Sequence, residues 1–310
     1  MHSPQTGAET TSSVQESVTQ YGENRPALRP ILEAFKSVLE ERAALARAFA
    51  AEAVALPDMD PERFGHGVFL LAEMPLTSLA GWIDASWRAM LPALERAMPT
   101  GKGFALLRKA FATGDADPVA LCQAFLDRNQ QPVLDAAGRL GIEPGIAHYG
   151  VETVLGPVLA GVAAQAAPHV ARGSWNQGTC PICGSFPSVA YLARPEPTEV
   201  EALVGGGGQK YLHCSLCGHE WRFRRDACPA CGNHDPGSRR MIHEKDQRHE
   251  RVEACTKCNA YFLCIDLREL AVAPDMHVAP LGLMHLDVVA RKEGFVPVAP
   301  APWNAPETSS

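Results

Sequence analysis

The sequence predicts a multidomain fold of α plus small β type: an N-terminal all-α domain, then two tandem ribbon modules, each with a four-cysteine metal site. Apolar residues recur at helical spacing from residue 25 to about residue 170. Short alternating strands and turns follow from Gly178 to about Leu270. This second region also holds eight of the ten cysteines, as four Cys-x-x-Cys pairs. A chain of 310 residues has room for about two domains.

The helical region begins with a long amphipathic helix whose apolar residues continue to Phe49, before Pro57 closes it. Asp115 or Asp117 is expected to cap the helix that opens at Pro118, because a short carboxylate side chain accepts hydrogen bonds from the first free N–H groups. The later helices are predicted over about 78–97, 103–112, 117–126, 130–139 and 144–167.

The pattern of the cysteine region predicts short strands close to the Cys-x-x-Cys pairs. The tetraglycine Gly205–Gly208 is expected to form a hairpin tip, since it lacks the Gly-Lys-Ser/Thr ending of a phosphate-binding loop. A last helix near 281–293 and a Pro-rich tail at 297–306 complete the chain. The predicted strands are Ser188–Leu192, Lys210–His213, Glu220–Arg224, Arg239–His243, Glu250–Ala254 and Ala260–Asp266.

The four Cys-x-x-Cys pairs predict metal binding. Two residues between thiolates let one tight turn direct both sulfurs at a single ion, and two such turns complete a tetrahedral site. The residue after each second cysteine is glycine or asparagine, the residues that adopt positive φ at least cost. The pairs are Cys180/Cys183, Cys214/Cys217, Cys228/Cys231 and Cys255/Cys258, followed by Gly184, Gly218, Gly232 and Asn259.

An internal repeat predicts how the pairs combine. A proline-containing pair is followed by a proline-free pair, and this order occurs twice. The simplest arrangement places Cys180, Cys183, Cys214 and Cys217 in one site, and Cys228, Cys231, Cys255 and Cys258 in the other. An interleaved arrangement, in which the first pair joins the third, stays open because only ten residues separate the second pair from the third.

Other roles for the cysteines were weighed against metal binding. Disulfides are disfavoured because no secretory signal is visible, and a thioredoxin-like pair normally occurs once, in a βαβ context. Cys122 and Cys264 lie among apolar residues and are expected to pack in the core. Histidines near the pairs are expected to be solvated or to surround the sites without binding the metals.

The rest of the sequence excludes several functions. The net charge of −7 argues against a nucleic-acid binder, although Arg222, Arg224 and Arg225 flank Trp221 and Phe223 in a small basic and aromatic cluster. We expect both of these aromatic rings, which share a strand face, to pack in the core. No catalytic constellation is visible, so the chain is not expected to be an enzyme. Four cysteine ligands also leave no coordination position for water or substrate, which disfavours hydrolytic metal catalysis.

The expected surroundings of the chain are cytoplasmic. The apolar stretch at about 151–167 is shorter than a membrane span and contains Pro157 and Gln165. Residues 1–24 are rich in serine, threonine, glutamine and glutamate and are expected to form a disordered tail. The predicted division is a tail at 1–24, an all-α domain at 25–172, modules at 173–226 and 227–272, and a C-terminal helix and tail at 273–310.

The chain resembles the formate dehydrogenase accessory proteins of the FdhE type. The resemblance extends from about residue 25 to residue 295 and is most specific in the cysteine region. The segments that carry it are Gly178-Thr-Cys-Pro-Ile-Cys-Gly-Ser-Phe-Pro, Tyr211-Leu-His-Cys-Ser-Leu-Cys, Glu220-Trp221 with Arg225 and Cys228-x-x-Cys231, and the helical segment beginning Arg25-Pro26.

The resemblance implies a cytoplasmic maturation factor that respiratory formate dehydrogenase needs for activity and that contacts the molybdenum-containing catalytic subunit. It also implies rubredoxin-like modules and favours iron, whereas the cysteine spacing alone accepts iron or zinc. A rubredoxin-like electron carrier acting on the dehydrogenase is the alternative, and a nucleic-acid-binding zinc ribbon is a third. The sequence does not indicate the oligomeric state.

Overall fold

A computed structural model describes residues 11–99, 102–194 and 208–304 of the chain. Within these ranges all the predicted helices are present, and their ends lie within about three residues of the predicted ends. The last predicted helix, near 281–293, is divided into two short helices. The helices are α1 Val14–Asn24, α2 Arg29–Ala50, α3 Pro61–Gly65, α4 Ala80–Ala97, α5 Gly103–Thr113, α6 Pro118–Leu126, α7 Gln131–Leu140, α8 Pro144–Val170, α9 Ala279–Gly282 and α10 Met284–Lys292.

Helix α8 forms the centre of the all-α part. It packs against α2, α4, α5, α6 and α7. In the described part of the chain it is the one helix long and apolar enough to cross a membrane, and two thirds (67%) of its most apolar segment is buried by the protein itself. Its apolar surface is therefore accounted for as the core of the helical part.

The predicted cap of α6 is confirmed. Asp117 accepts hydrogen bonds from the backbone N–H groups of Val119 (2.8 Å) and Ala120 (3.3 Å). Asp115 instead accepts a hydrogen bond from the Thr113 hydroxyl at 2.6 Å. Of the two candidates, Asp117 is thus the capping residue.

The prediction of a disordered tail over residues 1–24 is wrong for residues 14–24, which form α1. A capping box begins this helix: the Ser13 hydroxyl accepts from the Glu16 backbone N–H, and the Glu16 carboxylate accepts from the Ser13 backbone N–H. Val18 and Tyr21 bury the apolar face. The polar composition hid a helix that gains its stability from a cap and from tertiary packing. Residues 1–10 lie outside the described residues.

The strands form one sheet, and the six predicted strands are confirmed within two residues at each end. The order across the sheet is β3-β2-β1-β6-β5-β4, with β7 beside β6. Strand β7 was not predicted from the sequence. The strands are β1 Pro187–Leu192, β2 Lys210–Cys214, β3 Glu220–Phe223, β4 Arg239–Ile242, β5 Glu250–Cys255, β6 Ala260–Asp266 and β7 Val296–Pro297.

A parallel pairing joins the strands of the two cysteine modules. Strands β1, β2 and β3 pair antiparallel, as do β4, β5 and β6. Strand β1 then runs parallel to β6, with Val189 opposite Leu263 and Leu192 opposite Asp266. The two modules therefore share a continuous sheet, and the domain boundaries given above stay a prediction. Of the tetraglycine, residues 205–207 lie outside the described residues, so the hairpin tip also stays a prediction.

Candidate metal centres

The first group of four sulfurs is compact and buried. The Sγ atoms of Cys180 and Cys217 are 3.6 Å apart, and Cys183 lies 3.4 Å from Cys214 and 3.5 Å from Cys217. Each of the four residues is at most 3% exposed. We call this group the buried cluster.

The second group has the same composition but a different exposure. The Sγ atoms of Cys228 and Cys258 are 3.8 Å apart, as are those of Cys231 and Cys255. Cys228 and Cys255 are buried, whereas Cys231 and Cys258 are exposed. We call this group the half-exposed cluster.

The grouping follows the repeat in the sequence. In each group the four sulfurs all lie within 4.8 Å of one another. The first Cys-x-x-Cys pair thus meets the second, and the third meets the fourth, so the interleaved arrangement is not the one adopted. All ten cysteines are free, and the shortest sulfur–sulfur distance of 3.4 Å is far beyond the roughly 2.05 Å of a disulfide bond.

All four turns have the predicted backbone conformation. The φ angles are +75° at Gly184, +72° at Gly218, +70° at Gly232 and +56° at Asn259. In the first three turns, the N–H of this glycine donates to the carbonyl oxygen of the first cysteine of its pair. The positive φ reverses the chain within one residue, so both sulfurs of a pair face the same point.

The sulfur positions fit a tetrahedral metal ion. Metal–sulfur bonds of about 2.3 Å in a tetrahedron place the sulfurs about 3.8 Å apart. The distances of 3.4–3.8 Å in the two clusters match this value. The donor set of four thiolates suits Zn²⁺ and iron alike. Each cluster could therefore hold one metal ion with four cysteine ligands, and the eight cysteines of the two clusters are those named from the sequence.

Backbone hydrogen bonds favour the thiolate form of Cys255 in the half-exposed cluster, whereas burial raises the pKa of Cys228 and Cys258. Burial acts to raise the pKa of the Cys255 thiol, but the backbone N–H groups of Cys258 and Lys257, with the neighbouring thiols, outweigh it and lower the pKa to about 7. A thiolate is the form that binds a metal ion. The lowered pKa of Cys255 therefore favours binding of a cation by this sulfur.

The helical part supports the buried cluster through its turns. The backbone N–H groups of Leu70 and Leu71 donate to the carbonyl oxygens of Pro181 (2.9 Å) and Ile182 (3.0 Å). The Arg42 guanidinium donates to the carbonyl oxygen of Leu216 at 2.6 Å. Arg128 donates to the Gly184 carbonyl oxygen in the same way. Both turns of the buried cluster are therefore fixed by side chains or backbone from outside the sheet.

A cleft of about 150 Å³ lies beside the buried cluster, between the helices and the sheet. Its polar lining includes Arg42, Tyr149, Glu152 and His277. Burial raises the pKa of Glu152 to about 7, although the nearby charge of Arg42 acts to lower it. Burial also lowers the pKa of His277 well below its ordinary value, which keeps this imidazole neutral near pH 7.

The other residues singled out from the sequence are buried in the core or make contacts that do not involve the two groups of sulfurs. Cys122 and Cys264 are buried, and Cys264 accepts a hydrogen bond from Arg251 at 3.3 Å. Trp221 and Phe223 are buried as expected. In the described part of the chain no histidine joins either group of sulfurs. His213 instead contacts Glu220, with 3.2 Å between Nδ1 and Oε1.

Sequence reasoning missed a charged network between the two modules. The Lys210 ammonium lies 2.6 Å from the Glu253 carboxylate, and both side chains are buried. Arg239 and Arg251 also contact Glu253, at 2.9 and 3.1 Å. Lys210 is 43 residues from Glu253 in sequence and Arg239 is 14 residues from it, so no local pattern indicated these two contacts.

Comparison with known proteins links this architecture to one family. No family model matches the chain. A protein of Aquifex aeolicus named "Protein FdhE homolog" is 33% identical over 125 residues, which cover 40% of this chain and 41% of that one. Relatives with the same name in Shewanella oneidensis and Haemophilus influenzae are 34% and 31% identical, over 39% and 43% of this chain and 36% and 41% of theirs.

The crystal structure of the FdhE protein from Pseudomonas aeruginosa aligns with 97% of this chain and 99% of that one, with a TM-score of 0.55. The chain is similar to FdhE proteins in these sequence segments and in its fold. The structural match has 19% sequence identity, so it supports the fold. The matched segments span about two fifths of the length of the curated FdhE homologues. The resemblance first seen in the cysteine region is thus confirmed.

Proposed function

We propose that this chain is an FdhE-type protein, that it is a cytoplasmic accessory factor in the maturation of respiratory formate dehydrogenase, and that it binds the catalytic subunit of that enzyme. The observation that carries the proposal is the pair of four-sulfur clusters in one sheet behind an all-α part. The overall fold is similar to that of the FdhE protein of known structure. The resemblance to the formate dehydrogenase accessory proteins, supported by relatives named FdhE homologues, supplies the link to the dehydrogenase.

The eight clustered cysteines would hold two metal ions in this factor, one in each cluster. Four thiolates close the coordination shell, so neither site has a position for a hydrolytic water. The role of the sites is therefore to fix the sheet and to present its surface to a partner, without a catalytic step. Family resemblance favours iron, and zinc has the same tetrahedral preference.

Co-purification tests the partner. A tagged chain is expressed with the formate dehydrogenase catalytic subunit, and we expect the two to be recovered together. Deletion of the gene is expected to abolish formate dehydrogenase activity, and a plasmid copy restores it. A Cys258→Ser copy is expected to restore less activity than a Cys264→Ala copy, since Cys264 lies outside both clusters. Normal dehydrogenase activity in the deletion strain would refute the proposal.

A rubredoxin-like electron carrier is the second candidate. The observation that favours it is the exposure of Cys231 and Cys258, because a metal ion bound by exposed sulfurs lies close to an approaching redox partner. Iron at this site would cycle between ferrous and ferric states. Visible spectroscopy with metal analysis separates the two candidates, since colourless stoichiometric zinc without redox activity rules out electron transfer.

A further inference from the structure

The two clusters share one donor set but differ in access. All four cysteines of the buried cluster are at most 3% exposed. In the half-exposed cluster, Cys231 and Cys258 are exposed and come from different turns. One cysteine of each turn is therefore exposed to solvent, whereas the other cysteine of that turn is buried.

The space around the turns differs in the same way. A Cβ atom added at Gly184, in the buried cluster, would lie 2.6 Å from the Phe69 ring, and one added at Gly218 would lie 2.8 Å from the His277 ring. A Cβ added at Gly232, in the half-exposed cluster, would meet nothing within 4 Å. The turns of the buried cluster are thus covered by side chains, whereas the Gly232 turn is open.

Hydrogen bonds reinforce this contrast. The buried cluster is anchored by donors from the helical part, including Leu70, Leu71 and Arg42. The half-exposed cluster is tied mainly within its own module, for example by the Thr256 N–H donating to the Ser238 carbonyl oxygen at 2.8 Å. Opening the buried cluster requires separation of the helices from the sheet. Opening the half-exposed cluster requires the loss of contacts within its module and of the hydrogen bond from the Val296 N–H to the Asn259 carbonyl oxygen, but no movement of the helical part.

Metal exchange at a thiolate site is controlled by access. An incoming ligand must reach the metal ion and displace the sulfurs one at a time, and each displaced thiolate takes up a proton. Two exposed sulfurs on different turns allow the first two displacements without a change in the fold. Four buried sulfurs allow none.

We propose that the half-exposed cluster is the exchange site of this protein, where a divalent zinc or iron ion enters and leaves at the surface, while the buried cluster keeps its ion for the lifetime of the fold. The proposal rests on the metal ligation proposed above. The molecules that exchange the metal ion at the half-exposed cluster are small thiolate or carboxylate chelators, which reach the ion past Cys231 and Cys258. The two clusters thus divide exchange and structural support between them.

Chelation kinetics on the full chain test the proposal. The chain is loaded with zinc, mixed with excess EDTA, and sampled over time for metal that remains bound to protein. We expect two phases of equal amplitude, with the fast phase at least tenfold faster than the slow one. Iodoacetamide added at the end of the fast phase, with mass-spectrometric mapping, is expected to modify Cys228, Cys231, Cys255 and Cys258 and to leave the cysteines of the buried cluster unmodified.

Two variants assign the phases. Cys258→Ser is expected to remove the fast phase and leave the slow phase unchanged. Cys264→Ala, the matched control outside the clusters, is expected to keep both phases. Should a variant fail to fold, the labelling pattern of the unmodified chain decides the question by itself.

Three results would contradict the proposal. Release of two ions in a single phase, or alkylation of the buried cluster first, would overturn the division of roles while leaving metal ligation intact. A chain that takes up no zinc would overturn the ligation together with the proposal built on it.

Discussion

The Arg42 guanidinium donates a hydrogen bond to the backbone carbonyl oxygen of Leu216, and the two atoms are 2.6 Å apart. Arg42 lies on α2, and Leu216 lies between the two cysteines of the Cys214/Cys217 turn. This contact therefore joins the all-α part directly to the buried cluster. The Arg42 side chain passes over Gly156 of α8, where an added Cβ atom would lie 2.1 Å from the guanidinium.

Loss of this contact is expected to destabilise the protein. Arg42→Met leaves the Leu216 carbonyl oxygen without its charged donor, which costs on the order of 2 kcal/mol in the free energy of unfolding. Denaturant unfolding of the zinc-loaded chain measures the change. Arg47→Met, an exposed position on the same helix, is the control and is expected to change stability by less than about 0.5 kcal/mol. Equal stability of the two variants would mean that the contact contributes nothing.

The packing of α2 on α8 depends on Gly161. A Cβ at this position would lie 2.4 Å from the Cβ of Phe49 and 3.1 Å from its carbonyl carbon. Gly161→Ala is therefore expected to force the helices apart and to lower stability by about 1–3 kcal/mol. Gly138→Ala, on an open face of α7, is expected to raise stability by about 0.5–1 kcal/mol because it removes backbone freedom from the unfolded chain. Thermal unfolding of both variants checks these opposite signs.

The buried charge of Lys210 depends on Glu253. Burial acts to raise the pKa of Glu253, but Lys210 and then Arg251 and Arg239 outweigh it and lower the pKa to about 2. Glu253→Gln is expected to cost about 3–5 kcal/mol at pH 7, because Lys210 is left with an uncompensated buried charge. Because the folded pKa is lowered, the stabilisation by Glu253 is present above its unfolded pKa of 4.5 and is lost as the pH falls towards 2.

An exposed ion pair provides the control for Glu253. Glu73 pairs with Arg63 at 2.6 Å, with side chains 73% and 50% exposed. Glu73→Gln is expected to change the free energy of unfolding far less than Glu253→Gln, since exposed pairs are screened by solvent. Urea unfolding at pH 7 compares the two. Similar losses for both variants would show that burial of the Lys210–Glu253 pair has no special effect.

Glu152 is expected to give the protein a second pH dependence, of opposite sign. Its pKa is raised from 4.5 to about 7, so its effect on stability is absent below pH 4.5 and grows more unfavourable as the pH rises to 7. Glu152→Gln is therefore expected to unfold at a temperature a few degrees higher than the unmodified chain at pH 8, and at nearly the same temperature at pH 5. A pH-independent difference between the two proteins would exclude this titration as the cause.

Much of this structure could be predicted because it is encoded locally. The turns at Gly184, Gly218, Gly232 and Asn259 need only a short motif, and the φ angles follow from it. The same holds for the strands, whose alternation spans a few residues. The predicted helix ends were also close to the observed ones, since caps such as Asp117 act within one turn.

The features that the sequence did not reveal depend on distant contacts. The parallel pairing of β1 with β6 brings Val189 beside Leu263, and no local pattern specifies that register. Helix α1 was missed because polar composition outweighed the short capping signal of Ser13 and Glu16. The unequal exposure of the two clusters likewise arises from the helices that cover one and leave the other open.

Metal content is the measurement that tests the central claim most directly. Elemental analysis of the purified chain is expected to give two metal ions per chain. It is expected to give one ion for the Cys258→Ser variant, because that substitution removes a ligand from the half-exposed cluster only. A chain that folds with no bound metal, or a variant that keeps both ions, would contradict the assignment of the eight clustered cysteines as metal ligands.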